Sequence, residues 1–460
     1  MDHERTTMRL TREAFAANFA ETEQGLTRRS AMEESNRCLY CYDAPCIKAC
    51  PTGINVPSFI KRIATDNLKG AAAAIMDANP VGASCSRVCP TEELCEGACV
   101  LNDASEPIRI GLLQRYATDW AINGGATLFQ AGVSNGRRTA VIGGGPAGLS
   151  AARELARSGF AVTVFEAKPL AGGLDTYGIV SFRLPQHVSL WEVEQVRKLG
   201  VDIRTGVSVG SDIAVSELIE QYDAVVLAVG MGQVPSLGIE GEALEGVYDA
   251  IRFVEATKTG ELPLPLKGAR VAVIGAGNTA IDAATCSVRL GADNVKMVYR
   301  RTKDEMTAYA FEYEFAKRDG VEFSWLTAPV RIVGNADGKV THLECVRMAL
   351  TGDVGKDGRA LTMPVEGSEF LLPVDAVILA IGQSRRLELI EQLGITHNRG
   401  VVIVDEETRR TSHPMIYAAG DVAFGAGQGE AMVVSAAEQG KRAARAIERH
   451  FAAKPRSEAI

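Results

Sequence analysis

Apolar and polar positions follow the same order twice along this chain. An apolar run at 140–142 leads into glycines, then a stretch with helical spacing, LSAARELARSGF, and then a second apolar run, AVTVFE, that ends at Glu166. The order returns from Arg270, where RVAVIGAGNTAID precedes a helical stretch and the strand VKMVYRR. Each copy predicts a strand–turn–helix–strand unit, and the repeat predicts two modules of one type.

Glycines occur in both copies at the spacing of dinucleotide-binding turns. The first copy has Gly143, Gly145 and Gly148 in a G-x-G-x-x-G register, and the second has Gly275 and Gly277 in G-x-G-x-x-A. Such glycines make the tight turn, let the backbone approach a pyrophosphate and let the helix pack on the strand. We therefore expect each module to bind one nucleotide.

The two modules differ in charge where the second strand ends. Glu166 stands close to the spacing at which an acid binds a ribose hydroxyl, whereas the second module has Arg300 and Arg301 at this point. An arginine there can accept the 2′-phosphate of NADP, or it can merely flank the adenine. The choice between NADH and NADPH therefore stays open.

Further segments suit a flavin. Gly172 and Gly173 allow close backbone approach, and Arg183 in FRLP is either a cation near the flavin ring or a surface arginine. Gly420 and Asp421 end a strand and precede a helix of small residues, which offers a carboxylate and a helix N-terminus to a ribityl–pyrophosphate. The expected nucleotide-binding residues are Gly143, Gly145, Pro146, Ala147, Gly148, Glu166, Gly173, Leu174, Arg183, Gly230, Gly275, Gly277, Asn278, Thr279, Arg300, Arg301, Gly382, Gly420 and Asp421.

The order of these segments predicts a nested architecture. Because the segment around Gly420 completes a flavin site that begins near residue 140, the second module is predicted to be inserted in the first. The expected fold is α/β, with two Rossmann-like nucleotide-binding domains of the glutathione-reductase type and an N-terminal α-helical domain. The expected domains are 1–132 for the helical domain, 137–262 with 386–460 for FAD, and 268–385 for NAD(P).

Eight of the ten cysteines fall between Cys38 and Cys99. In a reducing compartment such a cluster indicates metal or redox chemistry. The run CLYCYDAPCIKACP resembles ferredoxin-type cluster ligands, although its middle spacing is longer than in bacterial ferredoxins. Structural zinc is the alternative, but zinc sites usually show two C-x-x-C pairs. Two groups of four predict two [4Fe–4S] clusters, with Cys38, Cys41, Cys46 and Cys50 in one group and Cys85, Cys89, Cys95 and Cys99 in the other.

Stretches whose apolar residues are spaced as in helices lie between and after the cysteine groups. The stretch 56–80 predicts two short helices that fold one cysteine loop back towards the other, and 107–122 predicts an amphipathic helix. The expected packing side of that helix carries Leu112, Leu113, Tyr116 and Trp120.

Charge and hydropathy limit the function classes. The formal net charge of −8 offers no basic surface for nucleic acid. No apolar run reaches membrane-spanning length, and the charged start lacks the apolar core of a signal peptide. We expect a cytoplasmic protein that binds neither nucleic acid nor membrane.

From about Arg37 onwards, the combined motifs resemble a known family. CLYCYDAPCIKACP, CSRVCPTEELCEGAC, VIGGGPAGL, FRLP, VIGAGNTAID and AAGDV together are similar to the glutamate synthase small subunits and to the N-terminal half of dihydropyrimidine dehydrogenase. The resemblance implies FAD, an NAD(P)H site and two N-terminal [4Fe–4S] clusters. In that family these cofactors relay electrons to a second flavin on another domain or subunit.

The resemblance also revises the cluster ligands. It implies that Cys38, Cys41, Cys46 and Cys99 hold one cluster, that Cys50, Cys89, Cys95 and Gln114 hold the other, and that Cys85 is a spare thiol. A buried helix glutamine that faces backbone is the ordinary alternative for Gln114. The phrases DAPC-x3-CP, VCPT and IGLLQ favour the dihydropyrimidine branch, since glutamate synthase small subunits carry an acid at the glutamine position.

The expected activity is therefore electron input. A pyrimidine-binding flavin barrel needs roughly 250 further residues, so we expect the pyrimidine site on a catalytic partner subunit that carries FMN and iron–sulfur clusters. No side chain of this chain is expected to be a catalytic acid or base. The alternatives are the small subunit of NADPH-dependent glutamate synthase, a free-standing NAD(P)H:acceptor reductase and, from another class, a zinc-bound scaffold with vestigial nucleotide folds.

Overall fold

The computed structural model describes residues 8–259, 264–355, 358–425 and 431–453. The glycine-rich stretch 426–430, which follows Asp421, and the outer ends of the predicted domains lie outside the described residues.

Helices form the cysteine-containing part and cover the sheets that follow it. Side-chain oxygens of Thr27, Asn55 and Asn67 accept hydrogen bonds from backbone amides three residues on, which stabilises the starts of three helices. The helices in the described residues are α1 Arg12–Asn18, α2 Arg28–Arg37, α3 Pro45–Lys48, α4 Val56–Ala64, α5 Leu68–Ala78, α6 Gly82–Val88, α7 Ile110–Asn123, α8 Pro146–Arg157, α9 Leu174–Tyr177, α10 Gln186–Arg197, α11 Val215–Gln221, α12 Ala250–Thr259, α13 Asn278–Arg289, α14 Ala310–Arg318, α15 Leu387–Gln392 and α16 Val433–Ala452.

The helix α7 packs through a different face from the predicted one. Leu113 is fully buried as expected, but Leu112 and Tyr116 are only half-buried, and Trp120 is 38% exposed. The prediction for Trp120 is therefore wrong. Small residues such as Ala117, which is fully buried, face α5 and α6 instead, because they allow the helices to approach closely.

Short strands with buried apolar residues build the sheets. The strands in the described residues are β1 Arg138–Ile142, β2 Ala161–Glu166, β3 Asp202–Thr205, β4 Ala224–Leu227, β5 Val247–Asp249, β6 Arg270–Ile274, β7 Asn294–Val298, β8 Glu322–Ser324, β9 Thr327–Gly334, β10 Val340–Val354, β11 Ala360–Pro364, β12 Phe370–Pro373, β13 Ala376–Leu379, β14 His397–Asn398, β15 Val401–Val402 and β16 Ile416–Ala418.

Two parallel five-stranded sheets in the described residues share one internal strand order. The first runs β16-β4-β1-β2-β3 and the second runs β5-β13-β6-β7-β8. In both, the strand before the glycine turn lies between the strand after the helix and a later apolar strand, β4 or β13. The predicted repeat of two Rossmann-like modules with a helical N-terminal part is confirmed.

An antiparallel sheet that the sequence analysis did not predict is built between the strands of the second module. The strand β10 pairs with β9, β11 and β12. Its burial alternates irregularly, and register shifts interrupt the pairing with β9 and with β11. These bulges hide the two-residue period that would have marked the strand in the sequence.

The chain divides into two compact units. Unit A comprises Glu21–Thr176, Arg183–Met231 and Arg385–Ile460, and unit B comprises Met1–Ala20, Tyr177–Phe182 and Gly232–Ser384. Unit A contains the cysteine helices and the first parallel sheet, whereas unit B contains the second parallel sheet and the antiparallel one.

In the parts of the chain that the structure describes, no helix combines the length and the apolar character needed to cross a membrane.

Candidate functional site

The turn after β1 contains glycines that the fold requires and one that it does not. Gly143 has φ +103°, and a methyl group there would overlap the carbonyl oxygen of Ala228. A methyl group at Gly148 would overlap the carbonyl oxygen of Gly143. At Gly145 the nearest atom would be Cα of Gly173 at 3.6 Å, an ordinary contact. The space at Gly145 therefore fits the close approach of a dinucleotide pyrophosphate.

Glu166 closes this turn from the side of β2. Its Oε2 accepts a hydrogen bond from the amide of Gly144 at 2.8 Å, and its Oε1 accepts one from the amide of Lys168 at 2.9 Å. The residue is 9% exposed. The predicted ribose-binding acid thus lies at the glycine turn and also supports the backbone there.

The loop that follows β2 lies on the same turn. The amide of Gly172 donates to the carbonyl oxygen of Gly144 at 2.7 Å. A methyl group at Gly173 would come within 2.8 Å of Cα of Gly145. Leu174, the next predicted residue, is 40% exposed. The two glycine-rich segments therefore form one backbone-lined surface.

Two other predicted flavin residues have open or half-open surroundings. Gly230 follows β4, and a methyl group there would have no neighbour within 4 Å. Arg183 is half-buried. A half-buried side chain is compatible with both expectations for Arg183, a cation near the flavin ring and a surface arginine.

A segment from far along the chain completes the surface at the start of α8. A methyl group at Gly420 would lie 3.1 Å from Cβ of Ala147, and the Gly420 amide donates to Oε1 of Gln439 at 2.8 Å. A methyl group at Gly440 would overlap the carbonyl oxygen of Ala147, so α16 packs tightly on α8. The first turn of α8, from Pro146, has no side-chain cap, and uncapped helix amides attract anions.

Asp421 is held by an arginine that the sequence analysis missed. Burial raises the pKa of the Asp421 carboxyl, and Arg385 opposes this shift. The guanidinium of Arg385 donates to the carbonyl oxygens of Asp421 and Phe424, the latter at 3.0 Å. No motif links Arg385 to a loop 36 residues further on, so only the structure reveals this contact.

The glycine turn of unit B repeats the pattern of the first. Gly275 has φ +134°, and a methyl group there would overlap the carbonyl oxygen of Ala380. At Gly277 the nearest atom would be Oγ1 of Thr307 at 3.3 Å. The second turn therefore also has a conformationally required glycine, and at its second glycine a methyl group would already be in tight contact with Thr307.

The neighbouring predicted residues of unit B lie around the start of α13. Oδ1 of Asn278 accepts a hydrogen bond from the amide of Tyr309 at 3.1 Å, and Thr279 is half-buried on the same helix turn. Gly382 follows β13, and a methyl group there would have no neighbour within 4 Å.

The two arginines after β7 have different surroundings. Arg301 is 6% exposed, and its Nε donates to the carbonyl oxygen of Ala360 on β11 at 2.9 Å. Arg300 is exposed. Of the two predicted arginines, Arg300 is thus the one accessible to a coenzyme phosphate, whereas Arg301 supports the antiparallel sheet.

The first expected ligand set lines one cavity. Its four thiols are surrounded by apolar side chains of the helical part, and burial raises the pKa of Cys38 and raises that of Cys46 to about 11. A metal centre supplies the positive charge that keeps such thiols deprotonated. The four cysteines that share the cavity are Cys38, Cys41, Cys46 and Cys99.

The second cysteine group gathers beside α16. Cys50, Cys85 and Cys89 pack in one apolar cluster with Val434 and Ala437 of that helix. Because α16 also packs on α8, this group and the first glycine turn are joined by a single helix.

Beside Cys50, Cys89 and Cys95, the expected fourth ligand of the second cluster is Gln114, with Cys85 as the spare thiol. Gln114 is 7% exposed and its Nε2 donates to the carbonyl oxygen of Gly82 at 2.7 Å, which is the backbone contact of the ordinary alternative; Oε1 is the atom that would ligate a cluster. Cys85 is buried, and burial, with Cys89 as a further cause, raises the pKa of its thiol. Burial also raises the pKa of the Cys95 thiol, with Glu96, Cys89 and Cys50 as further causes.

No three His, Cys, Asp or Glu side chains among the described residues are arranged to hold a metal ion. The first set is therefore grouped by its shared cavity. In the second set, Cys50 and Cys89 share one apolar cluster, whereas Cys95 packs against the cluster that also contacts Cys38, Cys46 and Cys99.

Two protein families match this chain. Residues 15–126 match dihydropyrimidine dehydrogenase domain II, 4Fe-4S cluster. Residues 137–440 match the pyridine nucleotide-disulphide oxidoreductases. These matches indicate a 4Fe–4S cluster in the helical part, and FAD with NAD(P)H in the remainder.

Similar proteins act as subunits of larger enzymes. The chain is 34% identical over 444 residues to the glutamate synthase [NADPH] small chain of Escherichia coli, covering 93% of each chain. It is 34% identical over 433 residues to the NAD-dependent dihydropyrimidine dehydrogenase subunit PreT of Salmonella typhimurium, covering 94% of this chain and 97% of PreT. It is 36% identical over 432 residues to the NADP(+)-dependent formate dehydrogenase subunit beta of Moorella thermoacetica, covering 89% of this chain and 60% of that subunit.

A solved structure shows the same fold. FprA from Mycobacterium tuberculosis in complex with NADPH superposes with a TM-score of 0.57 at 21% identity, over 69% of this chain and 85% of FprA. The two glycine turns fit the match to the oxidoreductase family, and the clustered thiols fit the match to the 4Fe-4S domain. This chain belongs to the glutamate synthase small-subunit family of NAD(P)-dependent flavin and iron–sulfur oxidoreductases.

Proposed function

We propose that this chain is the electron-input subunit of a dihydropyrimidine dehydrogenase. It takes electrons from NAD(P)H and delivers them to an FMN-containing, iron–sulfur partner subunit, which reduces uracil or thymine to the 5,6-dihydro form. Bound FAD would supply the conversion of a two-electron hydride transfer into single-electron transfers, and iron–sulfur clusters would carry the single electrons. The residues of this chain hold and space these groups, and none acts as a catalytic acid or base.

The nucleotide sites follow the two turns. In unit A, the backbone around Gly145 and Gly173, the start of α8 and Asp421 would hold FAD. In unit B, Gly277, the start of α13 and Arg300 would hold NAD(P)H. We retain the three-domain division, with 1–132 for the clusters, 137–262 and 386–460 for FAD and 268–385 for NAD(P), as part of this proposal.

The proposal includes two [4Fe–4S] clusters. Cys38, Cys41, Cys46 and Cys99 would hold one cluster, and Cys50, Cys89, Cys95 and Gln114 would hold the other. The cavity shared by the first set supports this division, because its four members come from both cysteine-rich segments of the sequence.

One observation carries the electron-relay role. Cys50 and Cys89 pack against the first turns of α16, and the same helix packs through Gly440 on Ala147 beside the glycine turn of α8. The second cysteine group is therefore the one next to the expected flavin. The first group lines a cavity that also includes Leu39, whose side chain is 62% exposed. This order suits a path from the flavin through the second group to the first and then to a partner.

The pyrimidine partner is favoured over glutamate synthase by Gln114. The resemblance associates glutamine here with the pyrimidine enzyme and an acid with glutamate synthase small subunits, and Gln114 lies buried against α6, the helix of Cys85. The glutamate synthase small chain and PreT are equally similar to this chain, at 34% identity each, so the partner has to be identified by experiment.

The first experiment is anaerobic purification of this chain from its own cells, with mass spectrometry of the accompanying proteins. We expect a stoichiometric partner with a flavin-barrel sequence, and uracil reduction by the complex with NADH or NADPH. A very large amidotransferase partner would instead establish the glutamate synthase role. Recovery of the chain alone, with full reductase activity, would establish a free-standing reductase.

Iron analysis tests the relay within the chain. We expect about eight iron atoms per chain, since each [4Fe–4S] cluster holds four. Cys41→Ala should lose about half of the iron and the partner-coupled turnover while NAD(P)H still bleaches the flavin. Cys85→Ser, the matched control, should keep the iron. Partner-coupled turnover that survives Cys41→Ala with loss of the cluster would contradict the relay.

A further inference from the structure

A threonine hydroxyl lies beside a cysteine of the second group. Oγ1 of Thr52 is 3.4 Å from Sγ of Cys50, and Thr52 is 7% exposed. A cysteine that ligates a metal is deprotonated and has no proton to donate. In the loaded protein the hydroxyl of Thr52 must therefore be the donor in this contact and the sulfur the acceptor.

Two further contacts hold Thr52 in this position. The amide of Gly53 donates to the carbonyl oxygen of Cys50 at 2.9 Å, which closes the turn around Thr52. From α16, Nζ of Lys441 donates to the carbonyl oxygen of Thr52 at 3.4 Å and also to that of Ala78. Lys441 is 2% exposed.

A hydrogen bond to a cluster sulfur affects the reduction potential of the cluster. Reduction adds negative charge that the sulfur ligands share, and a donor stabilises that charge. The effect is larger at a buried site, because a low local dielectric strengthens the interaction. Thr52 and Lys441 both meet the condition of burial.

Resting on the proposed ligand role of Cys50, we propose that Thr52 is a positioning residue that donates a hydrogen bond to the Cys50 thiolate and raises the reduction potential of the cluster nearest the flavin. No covalent bond forms or breaks at Thr52, and its proton stays on the hydroxyl in both oxidation states. Lys441 anchors the Thr52 peptide from α16, so the tuning group is fixed to the helix that packs on the flavin-binding turn.

The test is a redox titration of the holoprotein followed by electron paramagnetic resonance. Thr52→Val removes the hydroxyl and keeps the side-chain shape, so one cluster should shift to a more negative midpoint potential. Thr52→Ser keeps the hydroxyl and should titrate near wild type. Thr65→Val, at an exposed hydroxyl that donates to backbone carbonyls of α4, should shift neither cluster. Equal potentials for wild type and Thr52→Val at equal iron content would overturn the proposal.

A second measurement detects the hydrogen bond directly. In proteins exchanged into D2O, electron–nuclear double resonance of the reduced cluster should show an exchangeable deuteron close to a ligand sulfur in wild type that is missing from Thr52→Val. Identical deuteron signals in the two proteins would refute the hydrogen bond. The ligand role itself is tested separately by Cys50→Ser. If that variant keeps all its iron, the proposed ligand set is wrong and the role of Thr52 falls with it. If it loses iron while Thr52→Val leaves the potentials unchanged, only the role of Thr52 is wrong.

Discussion

Oε2 of Glu166 accepts a hydrogen bond from the amide of Gly144 at 2.8 Å, which ties the end of β2 to the turn that follows β1. An acid expected to bind a ribose hydroxyl thus also has a partner within the protein. The same carboxylate therefore shapes the turn and presents a negative charge at its edge.

Removal of this carboxylate should weaken flavin binding. Glu166→Ala deletes a charge-assisted hydrogen bond, which contributes about 1.5–3 kcal/mol, so FAD affinity should fall about tenfold to a hundredfold. The measurement is fluorescence titration of FAD into apoprotein. Glu217→Ala, at an exposed acid on α11 that bonds Gln221, is the control and should bind FAD normally. Unchanged affinity in Glu166→Ala would remove Glu166 from the site.

The glycine turn offers a pair of variants with opposite expected effects. Gly145→Ala meets only an ordinary contact at 3.6 Å, so its melting temperature should stay near wild type while FAD affinity falls by about tenfold or more. Gly143→Ala combines positive φ with overlap at Ala228, so it should destabilise the fold by about 1–3 kcal/mol. Thermal unfolding and flavin content measure both. Full flavin content in a stable Gly145→Ala protein would contradict close cofactor approach.

Single substitutions should separate the two arginines after β7. If NADPH is the coenzyme, Arg300→Ala should lower the ratio of kcat/KM for NADPH over NADH by about tenfold or more, because a charged contact to the 2′-phosphate is lost. Arg301→Ala should lower the melting temperature and leave the ratio unchanged, since its Nε supports Ala360. Steady-state dye reduction with both coenzymes gives the ratios. An unaltered ratio in Arg300→Ala would make Arg300 a bystander.

A buried acid on α10 should make stability depend on pH. Glu192 is 1% exposed and accepts hydrogen bonds from the amides of Ala83 and Ser84 and from the Ser84 hydroxyl. Burial raises the pKa of Glu192 to about 8 against the opposing effect of these bonds, and Asp175 adds to the rise. The folded chain therefore keeps a proton that the unfolded chain loses above about pH 4.5.

The expected sign follows directly. Folding stability is highest below the unfolded pKa and decreases as pH rises towards 8, by an amount on the order of a few kcal/mol. Glu192→Gln cannot ionise and should lack this decrease. Melting temperatures of both proteins at several values between pH 5 and 8 give the comparison. A constant difference between them over that range would show that Glu192 does not titrate there.

Local chemistry explains what the sequence predicted well. The glycine turns and the strands that flank them depend on residues within about thirty positions of each other, so their spacing alone indicated both modules. The different exposure of Arg300 and Arg301 could not be predicted, because Arg301 is buried against Ala360, in a strand whose pairing has a register shift. The exposed position of Trp120 could not be predicted either, because α7 packs through small residues such as Ala117 rather than through its most apolar ones.

During synthesis of the chain, the contact between Gly440 and Ala147 forms late. A turn made early in synthesis gains its covering helix only after residue 440 has been translated, and at about 5–20 residues per second this delay is roughly 15–60 s. A nascent chain therefore carries the glycine turn, with its uncapped helix amides, well before α16 exists to pack on it. The surface that the glycine turn forms with α16, the helix that also packs against Cys50 and Cys89, is therefore complete only at the end of synthesis.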